Sequence, residues 1–193
     1  MRSDTRRNQR RLMEAVGQLA REAPDELTMQ AIAARAEIGA ATAYRYFSTI
    51  DDVLATYTLR VAEELDGFSA DSELEGRTLF DAVVAKWMEL VGEHGVVMVR
   101  LRSRRGYLER LHAGDKTIRT MQSAWTRPVR ELLDELGLPS REIEHALFLW
   151  NIIFDPREIN DLLTEAGMAP SAVAARLTSA YIGALRGWSP TGA

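Results

Sequence analysis

The residues with the clearest chemical character lie in the segment AATAYRYF, which begins at Ala40. Its first positions are small, and Thr42, Tyr44, Arg45 and Tyr46 follow them. Small side chains let a helix backbone enter the major groove of DNA, where Thr can contact a base edge or a thymine methyl group. Tyr hydroxyls and Arg guanidinium groups suit phosphate oxygens at the rim of the groove. We therefore expect Tyr44 and Tyr46 to contact phosphates. We expect Ala40, Thr42 and Arg45 to approach bases.

The stretch just before this segment predicts a partner helix that would hold it in place. Thr28 is a favourable N-cap residue for a helix over residues 29–36, and Ile32 is one of the apolar residues that recur there at helical spacing. Glu-Ile-Gly at 37–39 then interrupts the pattern, as in a helix-turn-helix. Thr28 and Gln30, at the start of the first helix, are further candidates for contact with DNA. Two short amphipathic helices also occur in other helical proteins, so composition alone leaves that alternative open.

The charge of the chain is unevenly distributed. The net charge is −4, but residues 1–48 contain eight Arg against six acidic residues, which leaves them at +2 and the remainder at −6. Arg6, Arg7, Arg10 and Arg11 are concentrated before and within the first predicted helix, where a phosphate backbone could be met. A basic terminus is often only solvated, but beside a helix-turn-helix we interpret Arg6 and Arg10 as phosphate contacts.

The pattern from about Arg11 to Leu54 closely resembles the N-terminal domain of the TetR (tetracycline-repressor) family of bacterial regulators. That family has an amphipathic first helix, a Thr-started helix containing Ile-Ala, a turn, a recognition helix ending in Tyr-x-x-Phe, and a fourth helix. The corresponding residues here are Leu12, Ala15, Val16 and Leu19; Thr28 with Ile32 and Ala33; Thr42 with Tyr44, Arg45, Tyr46 and Phe47; and Asp51, Asp52, Val53 and Leu54. Beyond about residue 66 the resemblance is only architectural.

Three positions depart from the family pattern. Glu37 stands where the turn usually has Gly, and a positive φ at a residue with a side chain costs roughly 1 kcal/mol. Gly39 replaces a common capping Ser and is a tolerable N-cap. Ile50 replaces a Lys that commonly touches phosphate at the start of the fourth helix, which puts that one DNA contact in doubt.

Composition and motifs narrow the remaining classes of function. The 193 residues are 27% charged and 46% hydrophobic, as in a soluble globular protein, and they include no Cys. No stretch approaches 18 uninterrupted apolar residues, and the N-terminus is polar, so we expect a cytoplasmic protein with no membrane partner. We find no nucleophile elbow, phosphate loop or paired-His zinc motif, and the three His are far apart in the sequence. We therefore expect no enzyme, no cofactor and no metal site.

The periodicity predicts an all-α protein. After the helix-turn-helix we expect helices over residues 51–66, 77–94, 116–136, 140–154, 155–167 and 170–187. Residues 67–76 read as a loop, and Gly92 and Gly95 as the end of the 77–94 helix. Residues 96–105 alternate as a strand would, but we assign them to a short helix. The predicted domains are a helix-turn-helix DNA-binding domain at 1–50, a connecting helix and loop at 51–76, and a larger effector-binding and dimerisation domain at 77–193.

An effector pocket is expected among the helices of the larger domain. Trp and Met offer broad, adaptable apolar contact, and an Asn could orient a polar group. The candidate lining residues are Trp87, Met88, Val91, Met98, Met121, Trp125, Phe148 and Asn151. Any of these could instead simply fill the core. The lining suggests a largely apolar or aromatic effector. A basic cluster of Arg100, Arg102, Arg104 and Arg105 is either a solvated helix end or a contact for an anionic effector or DNA.

The last two major helices carry broad apolar sides that suit either core packing or a partner. The resemblance implies that they pair with their symmetry mates in a four-helix dimer interface. The candidate interface residues are Ala146, Trp150, Ile153, Val173, Leu177, Ala180, Tyr181 and Ala184. Together these observations predict a homodimeric, ligand-responsive regulator, most simply a repressor, that binds a palindromic operator in double-stranded DNA. The alternative is an all-helical small-molecule enzyme or binding protein that has no DNA role.

Overall fold

A computed structural model describes residues 2–101 and 105–188, with side chains over 4–101 and 105–187. This part of the chain is helical, contains no strand, and confirms the predicted all-α fold. The helices are α1 (Arg2–Glu22), α2 (Met29–Arg35), α3 (Ala40–Tyr46), α4 (Ile50–Asp71), α5 (Gly76–Arg100), α6 (Tyr107–His112), α7 (Lys116–Glu135), α8 (Ile143–Ile153), α9 (Pro156–Thr164) and α10 (Pro170–Trp188). Short 3₁₀ turns at Pro24–Glu26 and Ser140–Glu142 precede α2 and α8.

The chain forms two compact units. The N-terminal unit comprises Met1–Arg60 and Val96–Arg102, and therefore extends about ten residues beyond the boundary that the sequence suggested. Its core includes Val53, Leu54 and Tyr57 from the first turns of α4. Helix α1 lies close to α4, because a Cβ on Gly17 would stand only 2.8 Å from the Tyr57 hydroxyl. The start of α4 thus belongs to this core and is not merely a connection.

Local capping explains where α2 and α4 begin. Thr28 caps α2, as predicted, and its Oγ1 accepts a hydrogen bond from the backbone N–H of Ala31 at 3.2 Å. At the start of α4, the Thr49 Oγ1 accepts from the Asp52 N–H, while the Asp52 carboxylate accepts from the Thr49 N–H. This reciprocal pair satisfies two N–H groups that a helix start leaves open.

The C-terminal unit comprises Val61–Gly95 and Ser103–Ala193. It contains the second half of α4, most of α5, and helices α6 to α10. Its core is dominated by large aromatic side chains that are all less than 5% exposed. These are Phe80, Trp87, Trp125, Trp150, Phe154 and Tyr181. The predicted helix start at Asp155-Pro156 is confirmed, because the Asp155 carboxylate accepts from the Arg157 N–H at 2.9 Å and α9 begins at Pro156.

Several predicted boundaries are wrong, and glycines account for most of the errors. Helix α4 continues through Gly67 to Asp71, so the linker is only residues 72–75. Helix α5 continues through Gly92 and Gly95 to Arg100. A Cβ on Gly95 would stand 2.7 Å from the Asn160 side chain, so this glycine permits the close approach of α9. Residues 96–100 are therefore the last turn of α5 and not a separate helix.

Two smaller differences concern the connections within the C-terminal unit. Ser140 opens a 3₁₀ turn, and α8 begins at Ile143 and not at Ser140. Helix α6, six residues long, was not predicted at all. It covers fewer than two helical turns, which is too little for the apolar periodicity to identify it.

Candidate functional site

The outer face of α3 presents the side chains that the sequence assigned to DNA. Ala43 is fully buried, and Phe47, which ends the helix, is 7% exposed, so these two side chains seat α3 on the N-terminal core. Tyr44 is 45% exposed, and Arg45 is also exposed. Ala40 is exposed one turn before Tyr44. The helix therefore holds its backbone against the core and points an aromatic hydroxyl and a guanidinium group into solvent.

Thr42 and Tyr46 lie at the edge of the same helix, and both are half-buried. The Tyr46 hydroxyl oxygen accepts a hydrogen bond from the Asn8 side-chain amide at 3.2 Å. Because this bond occupies an oxygen lone pair, the hydroxyl proton remains available to donate to a phosphate. Sequence reasoning missed Asn8, since its partner lies 38 residues away and no local pattern links the two.

The turn between α2 and α3 contains a strained acidic residue. Glu37 has φ +52°, and it is the one residue other than glycine with positive φ in the described part of the chain. The backbone closes the end of α2 with a bond from the Ile38 N–H to the Ala33 carbonyl at 2.9 Å. The Glu37 carboxylate accepts from the Arg11 guanidinium at 2.6 Å. The turn thus keeps the conformation expected for the family's glycine and adds a negative charge paired with α1.

The remaining DNA candidates lie on exposed parts of the N-terminal unit. Arg6 and Arg10 are exposed on α1, and Arg10 forms an ion pair with Glu14 at 3.4 Å. Thr28 and Gln30 are exposed at the start of α2. The Thr28 hydroxyl oxygen accepts the capping bond with one lone pair, and its O–H proton can still donate to another acceptor.

The predicted effector residues are divided between the two units. Trp87, Met88, Val91, Met121 and Trp125 are buried in the C-terminal unit, whereas Met98 belongs to the N-terminal unit. Phe148 is half-buried, and its ring lies 6.5 Å from that of Tyr107, a residue the sequence did not suggest. Asn151 is half-buried, and no hydrogen bond to its side chain is seen among the described residues.

The aromatic core brings some of these residues together with others that were assigned elsewhere. The Trp125 ring centroid is 4.6 Å from that of Trp150, which was a dimer candidate, and Trp150 is 6.1 Å from Trp87. Phe80 and Tyr181 stack with centroids 5.5 Å apart. The Tyr181 hydroxyl donates to the Ala146 carbonyl at 2.8 Å, and burial raises the pKa of that hydroxyl, so it stays protonated.

A polar node joins α7 to the linker between α4 and α5. The Arg127 guanidinium donates to the carbonyl of Ser72 at 2.9 Å and to that of Leu74 at 2.8 Å. Its Nε donates to Glu131 at 2.8 Å, and the other oxygen of Glu131 accepts from the Gly76 N–H at 2.7 Å. One arginine therefore ties the end of α4 and the start of α5 to a single face of α7.

The predicted basic cluster is divided. Arg100 ends α5 in the N-terminal unit and donates to the Pro24 carbonyl at 3.2 Å. Arg105 belongs to the C-terminal unit, where it lines an open cleft of about 420 Å³ with Arg110 and Asp115. The Asp115 carboxylate already accepts from Arg110 at 2.9 Å, which offsets charge in the cleft. Arg102 and Arg104 lie outside the described residues.

Half of the predicted dimer residues are enclosed by their own chain. Ala146, Val173 and Tyr181 are 0% exposed and Trp150 is 4% exposed. Ile153, Leu177 and Ala184 are half-buried, and Ala180 is exposed. The exposed side of α10 has mostly small residues, with Arg176 and Arg186 also exposed, and Ile152 on α8 is 53% exposed, which is unusual for an isoleucine. The exposed small residues of α10 are Ser171, Ala172, Ala175, Ser179, Ala180, Gly183 and Gly187.

Known proteins support the assignment of the N-terminal segment and the fold. Residues 12–57 match the sequence profile of a family described as bacterial regulatory proteins, tetR family, which confirms the resemblance. A tetR-family transcriptional regulator from Streptomyces coelicolor shares the fold with a TM-score of 0.64 at 17% identity, covering 94% of this chain and 83% of that one. A TetR-like transcriptional regulator from Rhodococcus sp. RHA1 shares it with a TM-score of 0.56 at 20% identity, covering 93% and 96%.

No curated protein sequence matches this chain. Within the described residues, none of the helices combines the length and the apolar character that crossing a membrane would require.

Proposed function

We propose that this chain, a member of the TetR family of bacterial regulatory proteins through its residues 12–57, is a ligand-responsive repressor that binds a palindromic operator as a homodimer. The observation that carries the proposal is the outer face of α3. Tyr44 and Arg45 project from a helix that Ala43 and Phe47 anchor to the core. Exposed aromatic and cationic side chains on a firmly seated short helix suit the groove of a duplex.

Each side chain of this face has a role set by its chemistry. The hydroxyl of Tyr44 is exposed and that of Tyr46 is oriented by Asn8, so both donate to phosphates. Ala40, Thr42 and Arg45 approach base edges, where small and bidentate side chains give sequence preference. Further phosphate contacts come from residues on α1 and at the start of α2. These are Arg6, Arg10, Thr28 and Gln30.

Two copies of α3 are needed to read a palindrome. In a symmetric dimer, half-sites one helical turn apart place the two recognition helices about 34–36 Å from each other. The exposed small residues of α10, with Ile152 of α8, allow a second copy to approach closely. An effector that binds better to a dimer whose recognition helices have a different spacing would release the DNA. The shift between the DNA-bound and the released dimer cannot exceed the difference in the effector's affinity for these two states.

A gel shift with duplex DNA from the chain's own upstream region tests the DNA-binding role. We expect saturable binding that a scrambled duplex of the same length does not match at equal salt. Tyr44→Phe is expected to weaken operator and competitor alike, because phosphate contacts carry little sequence information. Thr42→Ala is expected to change the preference among sequences. If both variants bind every duplex like the parent, α3 is not the reading helix, and an all-helical enzyme or binding protein becomes the better interpretation.

The oligomeric state is tested by a charge placed on α10. Ala180→Glu would bury a charge in the proposed interface, so we expect both loss of the dimer in sedimentation and loss of operator binding. Ala85→Glu is the matched control, because Ala85 is an exposed alanine on α5, outside that interface. A dimer that persists in Ala180→Glu with unchanged affinity would move the interface elsewhere.

A further inference from the structure

Two indole rings that contact each other in the C-terminal core have buried N–H groups for which the described residues provide no acceptor. Trp125 on α7 is 0% exposed and Trp150 on α8 is 4% exposed, and their ring centroids are 4.6 Å apart. Within the described part of the chain, neither Nε1 atom has a hydrogen-bond partner. A buried donor without an acceptor destabilises a fold, so folded proteins retain few of them. Two in contact therefore indicate a site that another molecule completes.

Other polar groups of the same aromatic core do have acceptors. The indole N–H of Trp87 donates to the Phe154 carbonyl at 3.1 Å, and the Tyr181 hydroxyl donates to the Ala146 carbonyl at 2.8 Å. The core thus supplies acceptors to the donors of Trp87 and Tyr181, whereas the described residues supply none to Trp125 or Trp150. The rings of Phe80, Trp87 and Phe154 contact this pair, and the Tyr181 ring packs in turn against Phe80 and Phe154. These rings offer flat apolar surfaces and no formal charge.

We propose that Trp125 and Trp150 are the polar anchor of the effector site, and that the effector is a flat, uncharged aromatic compound bearing an acceptor oxygen. This inference rests on the proposed ligand response. An indole N–H can only donate, so the ligand must supply an acceptor. A carbonyl oxygen has two lone pairs and can accept from both indoles, while its aromatic body packs against the surrounding rings. Because the two rings touch, a ligand must part them to reach both N–H groups.

A matched pair of compounds isolates the acceptor. The probes are 2-acetylnaphthalene and 2-ethylnaphthalene, which have similar shape but differ in the carbonyl oxygen. Isothermal calorimetry on the full chain without DNA is expected to show roughly tenfold tighter binding of the ketone, the worth of about one net hydrogen bond. Trp125→Phe and Trp150→Phe keep a ring and remove the donor. Each is expected to reduce the preference, and the double variant to abolish it.

Tyr107→Phe is the control, because it keeps a ring and removes a donor hydroxyl on α6, outside the aromatic cluster around Trp125 and Trp150, and this variant is expected to keep the preference for the ketone. The inference is overturned if neither compound binds the parent chain, or if the preference survives the loss of both indoles. Should the double variant fail to fold, the two single variants decide. Because the calorimetry contains no DNA, a negative result rejects the effector site and leaves the proposed operator binding unaffected. If the chain binds the ketone but no duplex, only the proposed regulatory function is contradicted.

Discussion

Arg127 offers the most informative single perturbation of the C-terminal unit. Arg127→Gln shortens the side chain and removes the charge, so the carbonyls of Ser72 and Leu74 lose their donors and Glu131 loses its ion pair. These groups fix where α4 ends and α5 begins. Since α4 runs from the N-terminal unit into the C-terminal unit, the arginine determines how firmly that helix is held at its far end.

The magnitude follows from the contacts. Two hydrogen bonds to carbonyls contribute about 1 kcal/mol each, and an ion pair at this exposure contributes about 0.5 kcal/mol. The Arg127 side chain is 39% exposed, so water partly replaces what is lost, and we expect the free energy of unfolding to fall by about 2 kcal/mol. For a chain of this size, that lowers the melting temperature by roughly 4–8 °C and the urea midpoint by about 1 M.

Urea titration followed by circular dichroism measures the loss. Arg130→Gln is the matched control, because Arg130 is an exposed arginine on the same helix with no bonded partner among the described residues. Amide exchange provides a local readout, since the Gly76 N–H donates to Glu131 and should exchange faster when Arg127 no longer holds that carboxylate. If Arg127→Gln unfolds at the same urea concentration as Arg130→Gln, the node contributes nothing and the reasoning fails.

Three further predictions concern charge and strain. Glu37→Gly should raise the melting temperature by a few degrees in calorimetry, because about 1 kcal/mol of backbone strain disappears, and it should tighten non-specific DNA binding by releasing Arg11 from its ion pair; a looser complex would contradict this. Asn8→Ala should weaken operator binding threefold to tenfold in the parent but not in a Tyr46→Phe background, as a double-mutant cycle of gel shifts would reveal. Lys86 bonds to Glu64 on α4 and to Glu89, and chiefly the bond to Glu64 raises the Lys86 pKa above 10.5. The stability that the charged lysine adds is therefore present below pH 10.5 and lost as the pH rises through the raised pKa. Lys86→Met should unfold more easily than the parent at pH 8 but equally easily at strongly alkaline pH.

The helix-turn-helix could be predicted because its signals are local. Thr28 caps α2 through a bond to a residue three positions later, and the positive φ at Glu37 follows from the geometry of a turn that a few residues define. The apolar spacing around Ile32 and Ala43 identifies the buried side of each helix. Such interactions join residues that are already neighbours in the chain, so the order of residue types contains most of the information they need.

The glycines show where local reasoning fails. Gly92 and Gly95 read as stop signals, yet α5 runs through both. A glycine inside a helix costs only about 1 kcal/mol relative to alanine, which tertiary packing readily offsets. The approach of Asn160 to Gly95 supplies such packing, and it comes from a helix about 65 positions away. No residue near Gly95 in the sequence indicates that Asn160 packs against it.

The sequence by itself determined the helical class, the exposed side of α3 with Tyr44 and Arg45, and the fact that α8 and α10 each bury an apolar side. Only the tertiary structure decided what covers those sides. Trp150 and Tyr181 face the aromatic core of their own chain, where Trp150 meets Trp125 and leaves two indole donors unpaired. The hydrophobic effect is non-directional. A periodic row of apolar residues therefore predicts that this side of the helix is buried, but it does not specify whether the same chain or a second molecule covers it.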